Sequence, residues 1–482
     1  MGNALSVGIK SFGAYIPRRR MARAAIAEAH AWALPSLKGL GKGEKSFCNW
    51  DEDAITLAVE AARDCIKGYD RQTLVALDFA STTPPFADLQ NAVVVGSALS
   101  LCESIRCSDF GGSTRAGTTA LVRALEAGGQ GDRLVVAAEK RVAKPGSAQE
   151  MQYGSGAGAL LVGEGEDLIA RLVASETISK PFVDHFRSVG EKYNYHWEER
   201  WVRDEGMAKI VPQGFSKILD ACDRSADDVA WLGISGGPAG SDGFVAKKLG
   251  IAADRLLPNF QGQVGDTGAA QSILQLIDAL EKAQPGDLIV IISFANGCEV
   301  AAFEMLRRPA DTGRRGLAGT LARGITETAY LKMLSNDGAI DIDWGMRAEA
   351  DKKSILTEMY RGADQFFGFV GGKCDSCGTV QFPRAPSCVN CGSYHSLEPF
   401  ALSEEKAKVA TYTVDWLMYT PAPPLYVGLM QFDNGARVLM EVCDVGTLDI
   451  ETGMEVEMAF RIKERDTLRH LDRYFWKATP SI

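Results

Sequence analysis

The chain has 482 residues, 46% of them hydrophobic, and a formal net charge of −10. That length exceeds one ordinary domain and suits two or three, with enough apolar content for a sizeable core. The acidic balance argues against nonspecific nucleic-acid binding, which needs clustered Lys and Arg, and no apolar run is long enough to cross a bilayer.

The N-terminus lacks the apolar core of a signal peptide, and residues 7–14 read as a first buried strand. The basic patch Arg18, Arg19, Arg20 and Arg23 reads either as a contact for an anionic cofactor or as a solvated turn. Apolar runs at 74–79 (LVALDF), 134–138 (LVVAA), 159–163 (ALLVG) and 288–294 (LIVIISF) fit strands buried on both faces. Helical apolar spacing marks 54–67 and 269–282. Strands alternating with helices predict an α/β layered architecture. One supersecondary unit recurs. A Gly-Thr-rich turn opens a helix at Gly117 and again at Gly265, and each helix leads through a Gly-Asp turn into a buried strand.

After residue 307 the character changes. Residues 307–365 read as a partly helical linker, and strand-like stretches at 409–414, 425–432, 437–443 and 456–462 predict a small β-barrel. Between them, Cys374-x-x-Cys377 and Cys388-x-x-Cys391 each end on a glycine, Gly378 and Gly392. Two such knuckles place four thiolates around one tetrahedral ion, and four sulfur ligands favour zinc, with iron as the minor alternative. A closed shell leaves no position for substrate, so the metal is expected to be structural. The other seven of the eleven cysteines are scattered, the pattern of reduced thiols in a cytoplasmic protein. A ribbon followed by a barrel is also a nucleic-acid module. Here, however, residues 396–482 carry no Lys/Arg stripe and are interspersed with Glu404, Glu405, Glu441, Asp444 and Asp449. The tail aromatics Trp416, Tyr419 and Tyr426 read as barrel core or as the lining of an acyl pocket.

The first 306 residues resemble HMG-CoA synthase and ketoacyl synthase III. The resemblance rests on the ordered segments SFGAYIPRRR, WDEDAITLAVEAARDC, FASTTPPFADLQNA, STRAGTTAL, AAEKRVAKPGSAQE, YGSGAGALLVG and GDTGAAQSILQLIDALEKAQPGDLIVIISF. The segment DHFRSVGEKYNYHWEERW is similar to a stretch of the archaeal-type synthases, and residues 366–482 resemble the zinc-ribbon plus OB-fold proteins that accompany thiolase-like enzymes. The resemblance implies a duplicated thiolase fold, αβαβα in layers, followed by a rubredoxin-like zinc ribbon and an OB-fold. The expected boundaries are 1–170 and 171–306 for the two halves, 307–365 for the linker, 366–395 for the ribbon and 396–482 for the barrel. It further implies a coenzyme A thioester as substrate and a homodimer or higher homo-oligomer, with no nucleic-acid or membrane partner.

Against that family the catalytic positions differ. Thr114, flanked by Ser113 and Arg115, stands where the family carries its nucleophilic Cys at a helix N-terminus, the setting that lowers a thiol pKa. Thr82 stands where a Glu acid/base is expected, no His occurs at 235–237, and Asp266 replaces an Asn. A threonine hydroxyl is a weak nucleophile without a base. Asp266 reads as a helix N-cap or, if burial raises its pKa, as a general acid or base. His196 is a proton carrier or a packing histidine, and Tyr193 and Tyr195 are alternative acids. Cys298, in the run Asn296-Gly297-Cys298, and Cys107 are relocated nucleophiles or core thiols. The expected function is C–C bond chemistry β to a thioester carbonyl, of Claisen or aldol type. Catabolic cleavage without an enzyme thiol is preferred. The alternatives are a synthase with a relocated Cys and a non-catalytic acyl-CoA-binding scaffold.

Overall fold

A computed structural model describes residues 7–128, 131–348, 353–446 and 448–481. Two compact units divide the chain: 7–48, 53–93 and 102–339 form the first, and 49–52, 94–101 and 340–481 the second.

The first unit is built on a nine-stranded sheet. Its strand order is Val229–Ser235, Leu288–Phe294, Gly297–Met305, Ala170–Ser179, Val7–Tyr15, Ser155–Glu164, Asp132–Lys140, Leu74–Ala80 and Arg106–Phe110. The duplicated halves meet where, among the described residues, Val7–Tyr15 joins Ala170–Ser179 through the pairs Gly8↔Arg171 and Ile9↔Ala170. The first half carries three parallel strands and the second two, each set followed by antiparallel returns, and the expected buried strands are all present.

The helices Ala116–Glu126 and Gln271–Lys282 are the two copies of the recurring unit, and both are buried between the sheet halves. They approach closely because Gly117 has no side chain; a Cβ there would run into the Ala269 carbonyl. Thr118 Oγ1 and Ser272 Oγ bond across the contact at 2.8 Å. Helix Ala54–Cys65 covers the outer face of the first half, and Ala208–Cys222 that of the second, completing five layers. The capping box of Asp53 and Thr56 sets the start of Ala54–Cys65.

The expected linker is not one segment. Residues 307–339 are built into the first unit, where Ile325–Glu327 pairs in parallel with Arg19–Ala22. The buried Asp64 carboxylate draws in the N–H groups of Arg315 and Gly316 at 2.6 and 2.9 Å. The basic patch is likewise not a solvated turn: Arg18, Arg20 and Arg23 are buried, and Arg19 pairs with Glu327 at 3.3 Å.

In the second unit, Val370–Cys374, Val380–Gln381 and Leu397–Ala401 form the three-stranded ribbon sheet. Five strands follow, in the order Arg437–Glu441, Leu425–Phe432, Ala407–Asp415, Glu455–Asp466 and Leu471–Pro480, and the bridge Val442↔Ala478 closes them into a barrel. Buried charge sits inside. Arg461 bonds Asp444 at 2.9 Å and Glu52 at 3.2 Å, while Lys477 bonds Asp51 and Glu441 at 2.9 Å each. Trp416 is exposed and so is not barrel core. No helix among the described residues is long and apolar enough to cross a membrane.

Candidate active site

In the first unit a solvent-open cleft of about 620 Å³ lies over the N-terminal ends of the two central helices. Thr114, buried in the turn before Ala116–Glu126, lines it. Asp266 enters from the other half. The backbone ties the two halves together at this point, because Tyr153 and Asp266 form a parallel bridge, with Asp266 N to Gln152 O at 2.8 Å and Gly154 N to Asp266 O at 2.9 Å.

Asp266 makes a close ion pair with Arg141 and accepts from Gly268 N at 2.8 Å. Burial opposes its ionisation, but Arg141 and the Gly268 N–H outweigh burial and hold the carboxyl below its ordinary value. The expectation of a raised pKa is therefore corrected. The carboxylate is an ion-pair partner, and its bond to Gly268 N supports the turn before the helix rather than capping Gln271–Lys282 directly.

Arg141 also lies flat over the Tyr153 ring, 3.5 Å from its centroid. The Tyr153 hydroxyl makes a close hydrogen bond to His196 Nε2 and accepts from Asn194 Nδ2 at 3.2 Å. Burial raises the Tyr153 phenol above its ordinary value against the pull of Arg141. Burial, reinforced by His185 and Arg141, lowers His196 to about 4. Both groups are thus neutral at pH 7.

His196 is placed by a two-stranded hairpin, His185–Phe186 against Tyr195–His196. Directly opposite residues share a face, so His185 stacks on His196 with centroids 5.4 Å apart, while Phe186 and Tyr195 turn outward to solvent. His185 Nδ1 lies 2.6 Å from Asp184 Oδ2. A carboxylate only accepts, so His185 Nδ1 is the donor to Asp184. Trp197 and the start of the π-helix Val202–Met207 complete this wall, with Ser235, Gly236, Gly237 and Ser293 opposite.

Of the residues singled out from sequence, Thr114, Asp266 and His196 come together in the cleft. The others do not line it. Arg115 reaches to Ile178 O at 3.3 Å, and Ser113 turns the chain into the helix. Asn296 Nδ2 donates to Phe182 O at 3.0 Å, and Gly297 takes a positive φ of 114° in the tight turn between two strands. The Tyr193 ring is beside Lys192. Cys298 is fully buried against Gly214, and burial pushes its thiol up to about 11, the state of a core cysteine. Thr82 donates its hydroxyl to the buried Glu139 carboxylate. Tyr153, Arg141, Asp184 and His185 escaped the sequence reading. The last two lie in DHFRSVG, two residues of a segment already matched to the synthases, and alternation across the hairpin was the available signal.

In the ribbon of the second unit, Cys374, Cys377, Cys388 and Cys391 place their sulfurs within 4.8 Å of one another. Cys374 and Cys391 are 3.8 Å apart and Cys377 and Cys388 3.6 Å, matching the separation of about 3.8 Å that Zn–S bonds of ~2.3 Å give in a tetrahedron. Gly378 and Gly392, at φ 73° and 72°, make the knuckle turns. These four thiolates fit a structural zinc ion.

Comparison with known proteins agrees with this architecture. Residues 368–394 match the rubredoxin-like zinc ribbon domain of ChsH2, 401–461 the ChsH2 C-terminal OB-fold domain, and 219–305 the C-terminal part of 3-oxoacyl-[acyl-carrier-protein] synthase III. The chain is 28% identical to a hydroxymethylglutaryl-CoA synthase of Thermococcus sibiricus over 67% of its length and 93% of that protein. It is also 28% identical to one from Aeropyrum pernix, over 73% of its length and 96% of that protein. Among solved structures it resembles an HMG-CoA synthase complexed with CoA, with TM-score 0.60 and 18% identity over 73% of this chain and 95% of the other. A 3-oxoacyl-(acyl carrier protein) synthase III from Pseudomonas aeruginosa gives TM-score 0.56 and 18% identity over 63% of this chain and 99% of the other. The fold is that of the thiolase superfamily. The matched models and relatives support an enzyme of the thiolase-superfamily type, followed by segments that match the ChsH2 zinc ribbon and OB-fold.

Proposed function

We propose that this enzyme cleaves a carbon–carbon bond β to the carbonyl of an acyl-CoA thioester without forming an acyl-enzyme. The observation that carries this reading is the content of the cleft. A Tyr153–His196 pair, its tyrosine buried and its histidine half-buried, stands beside the Arg141–Asp266 ion pair at a helix N-terminus, and none of the described lining residues is a cysteine. The acyl-CoA class is supported by the hydroxymethylglutaryl-CoA synthases among its relatives and by the neighbour solved with CoA.

Breaking the C2–C3 bond leaves an electron pair that spreads onto the thioester oxygen as an enolate. The positive end of helix Ala116–Glu126 and the buried Arg141 favour that charge. C2 must then take a proton. Tyr153 is suited to deliver it, because burial keeps the phenol protonated and Arg141 over the ring steadies the phenolate left behind. Neutral His196 shares the phenol proton, and Thr114 offers a hydroxyl at the helix end.

The test is incubation with 3-hydroxyacyl-CoA and 3-oxoacyl-CoA thioesters, with products followed by chromatography and protein mass measured in the same tubes. Shortened acyl-CoA with unchanged protein mass is expected. A stable adduct mapped to Cys298 or Cys107 would instead establish a relocated nucleophile. Tight binding with no turnover across the panel would make the chain a binding protein.

A further inference from the structure

Asp184 lines the cleft and is only 7% exposed. Its Oδ2 takes the His185 Nδ1–H, but its Oδ1 is buried and has no hydrogen-bond partner. The residue is held firmly: Trp197 N donates to its carbonyl at 3.0 Å, and the next residue is fixed by the His185↔His196 pairing. A buried carboxylate oxygen without a donor is costly, and such groups are normally satisfied. Two polar groups that line the same cleft are already engaged. Asp266 is taken by Arg141 and Gly268 N, and Tyr153 by His196 and Asn194. The missing donor therefore belongs to a ligand.

This separates two substrates that the lyase reading leaves open. A 3-oxoacyl thioester brings only a carbonyl to Asp184, a second acceptor facing a carboxylate. A 3-hydroxyacyl thioester brings an O–H. Resting on that reading, we propose that the substrate is a 3-hydroxyacyl thioester whose C3 hydroxyl donates to Asp184 Oδ1, so that the reaction is retro-aldol cleavage. Oδ1 takes the hydroxyl proton as C3–O becomes a carbonyl. The C2–C3 bond breaks and its electron pair enters the thioester enolate. Tyr153 gives a proton to C2, and the proton on Asp184 returns to the Tyr153 phenolate through solvent. The products are an aldehyde or ketone and a shortened acyl thioester, and neither free CoA, water nor a redox partner is consumed.

The full chain is tested with three matched probes, 3-hydroxydecanoyl-CoA, 3-oxodecanoyl-CoA and decanoyl-CoA. Affinities are measured by calorimetry in a Tyr153→Phe background that suppresses turnover. The hydroxy thioester should bind roughly 10-fold or more tighter than decanoyl-CoA, and the oxo thioester no tighter than decanoyl-CoA. Asp184→Asn keeps the volume and can turn an N–H to the ligand, so the ratio of oxo- to hydroxy-thioester affinity should rise. In turnover, 3-hydroxydecanoyl-CoA should give octanal and acetyl-CoA. Cleavage of only the oxo thioester overturns this inference and leaves the lyase reading standing. An Asp184-dependent preference for the hydroxyl with no cleavage overturns the lyase reading and the retro-aldol step that rests on it. Equal affinity for all three, or binding of none, overturns the inference.

Discussion

The two units bury charge in opposite ways. In the barrel, Arg461 and Lys477 are each matched by two carboxylates, and the set comes close to satisfying itself. In the cleft, Tyr153 and His196 are held neutral, and Asp184 keeps a buried oxygen without a donor. The difference separates charge that supports a fold from charge arranged for a ligand, although both environments are buried. Losing one partner of a buried ion pair leaves an uncompensated charge, whereas an unfilled acceptor is costly until something binds.

The comparison can be broken hardest in the second unit. Stripping zinc with a chelator, or the substitution Cys377→Ser, should abolish one-per-chain zinc content and unfold the ribbon, since structural zinc supplies about 10–16 kcal/mol in small zinc domains. Circular dichroism and metal analysis read this out, and a ribbon that stays folded without metal would contradict it. Next, Arg461→Met strands Glu52 and Asp444 and should cost about 3–5 kcal/mol in denaturant unfolding. A near-neutral result would mean that the network relaxes. In the cleft the pattern should invert. Tyr153→Phe should lower turnover by about 100-fold or more with little change in stability.

The smallest effect concerns pH. His196 has a folded pKa near 4, below its ordinary 6.5, so the unfolded chain binds the extra proton between these values. Its contribution to stability is complete above pH 6.5 and is lost as pH falls from 6.5 toward 4. His196→Gln should flatten that part of the stability profile. The His196 ring should titrate by NMR with a midpoint near 4, and a midpoint near 6.5 would refute the burial argument.

Features fixed by short-range pattern were legible from sequence. The knuckle cysteines announce themselves by spacing, and the run 288–294 coincides with the strand Leu288–Phe294 because every position is buried. The repeated Gly-Thr turn correctly paired the central helices. The cleft was harder to read because its residues are assembled over long separations. Tyr153 meets Arg141 and His196 only after the loop at Asp266 locks against Gln152 and Gly154. Asp184 becomes notable only when the hairpin register puts it inside and Phe186 outside. Cys298 drew attention as a possible nucleophile, but strand pairing opposite Phe294 places it in the core. Residues 307–339 looked like linker because their anchors, Asp64 and Arg19, lie more than two hundred positions upstream.

The seam between the sheet halves has a practical corollary. Among the described residues, Gly8 and Ile9 alone pair with Ala170 and Arg171 there, and a break in the turn at 165–168 leaves strands Val7–Tyr15 to Ser155–Glu164 in one fragment and Ala170–Ser179 onward in the other. Each fragment keeps one central helix and one wall of the cleft, while Ile325–Glu327 of the second still needs Arg19–Met21 of the first, so the cleft should be rebuilt only when the two pieces reassociate.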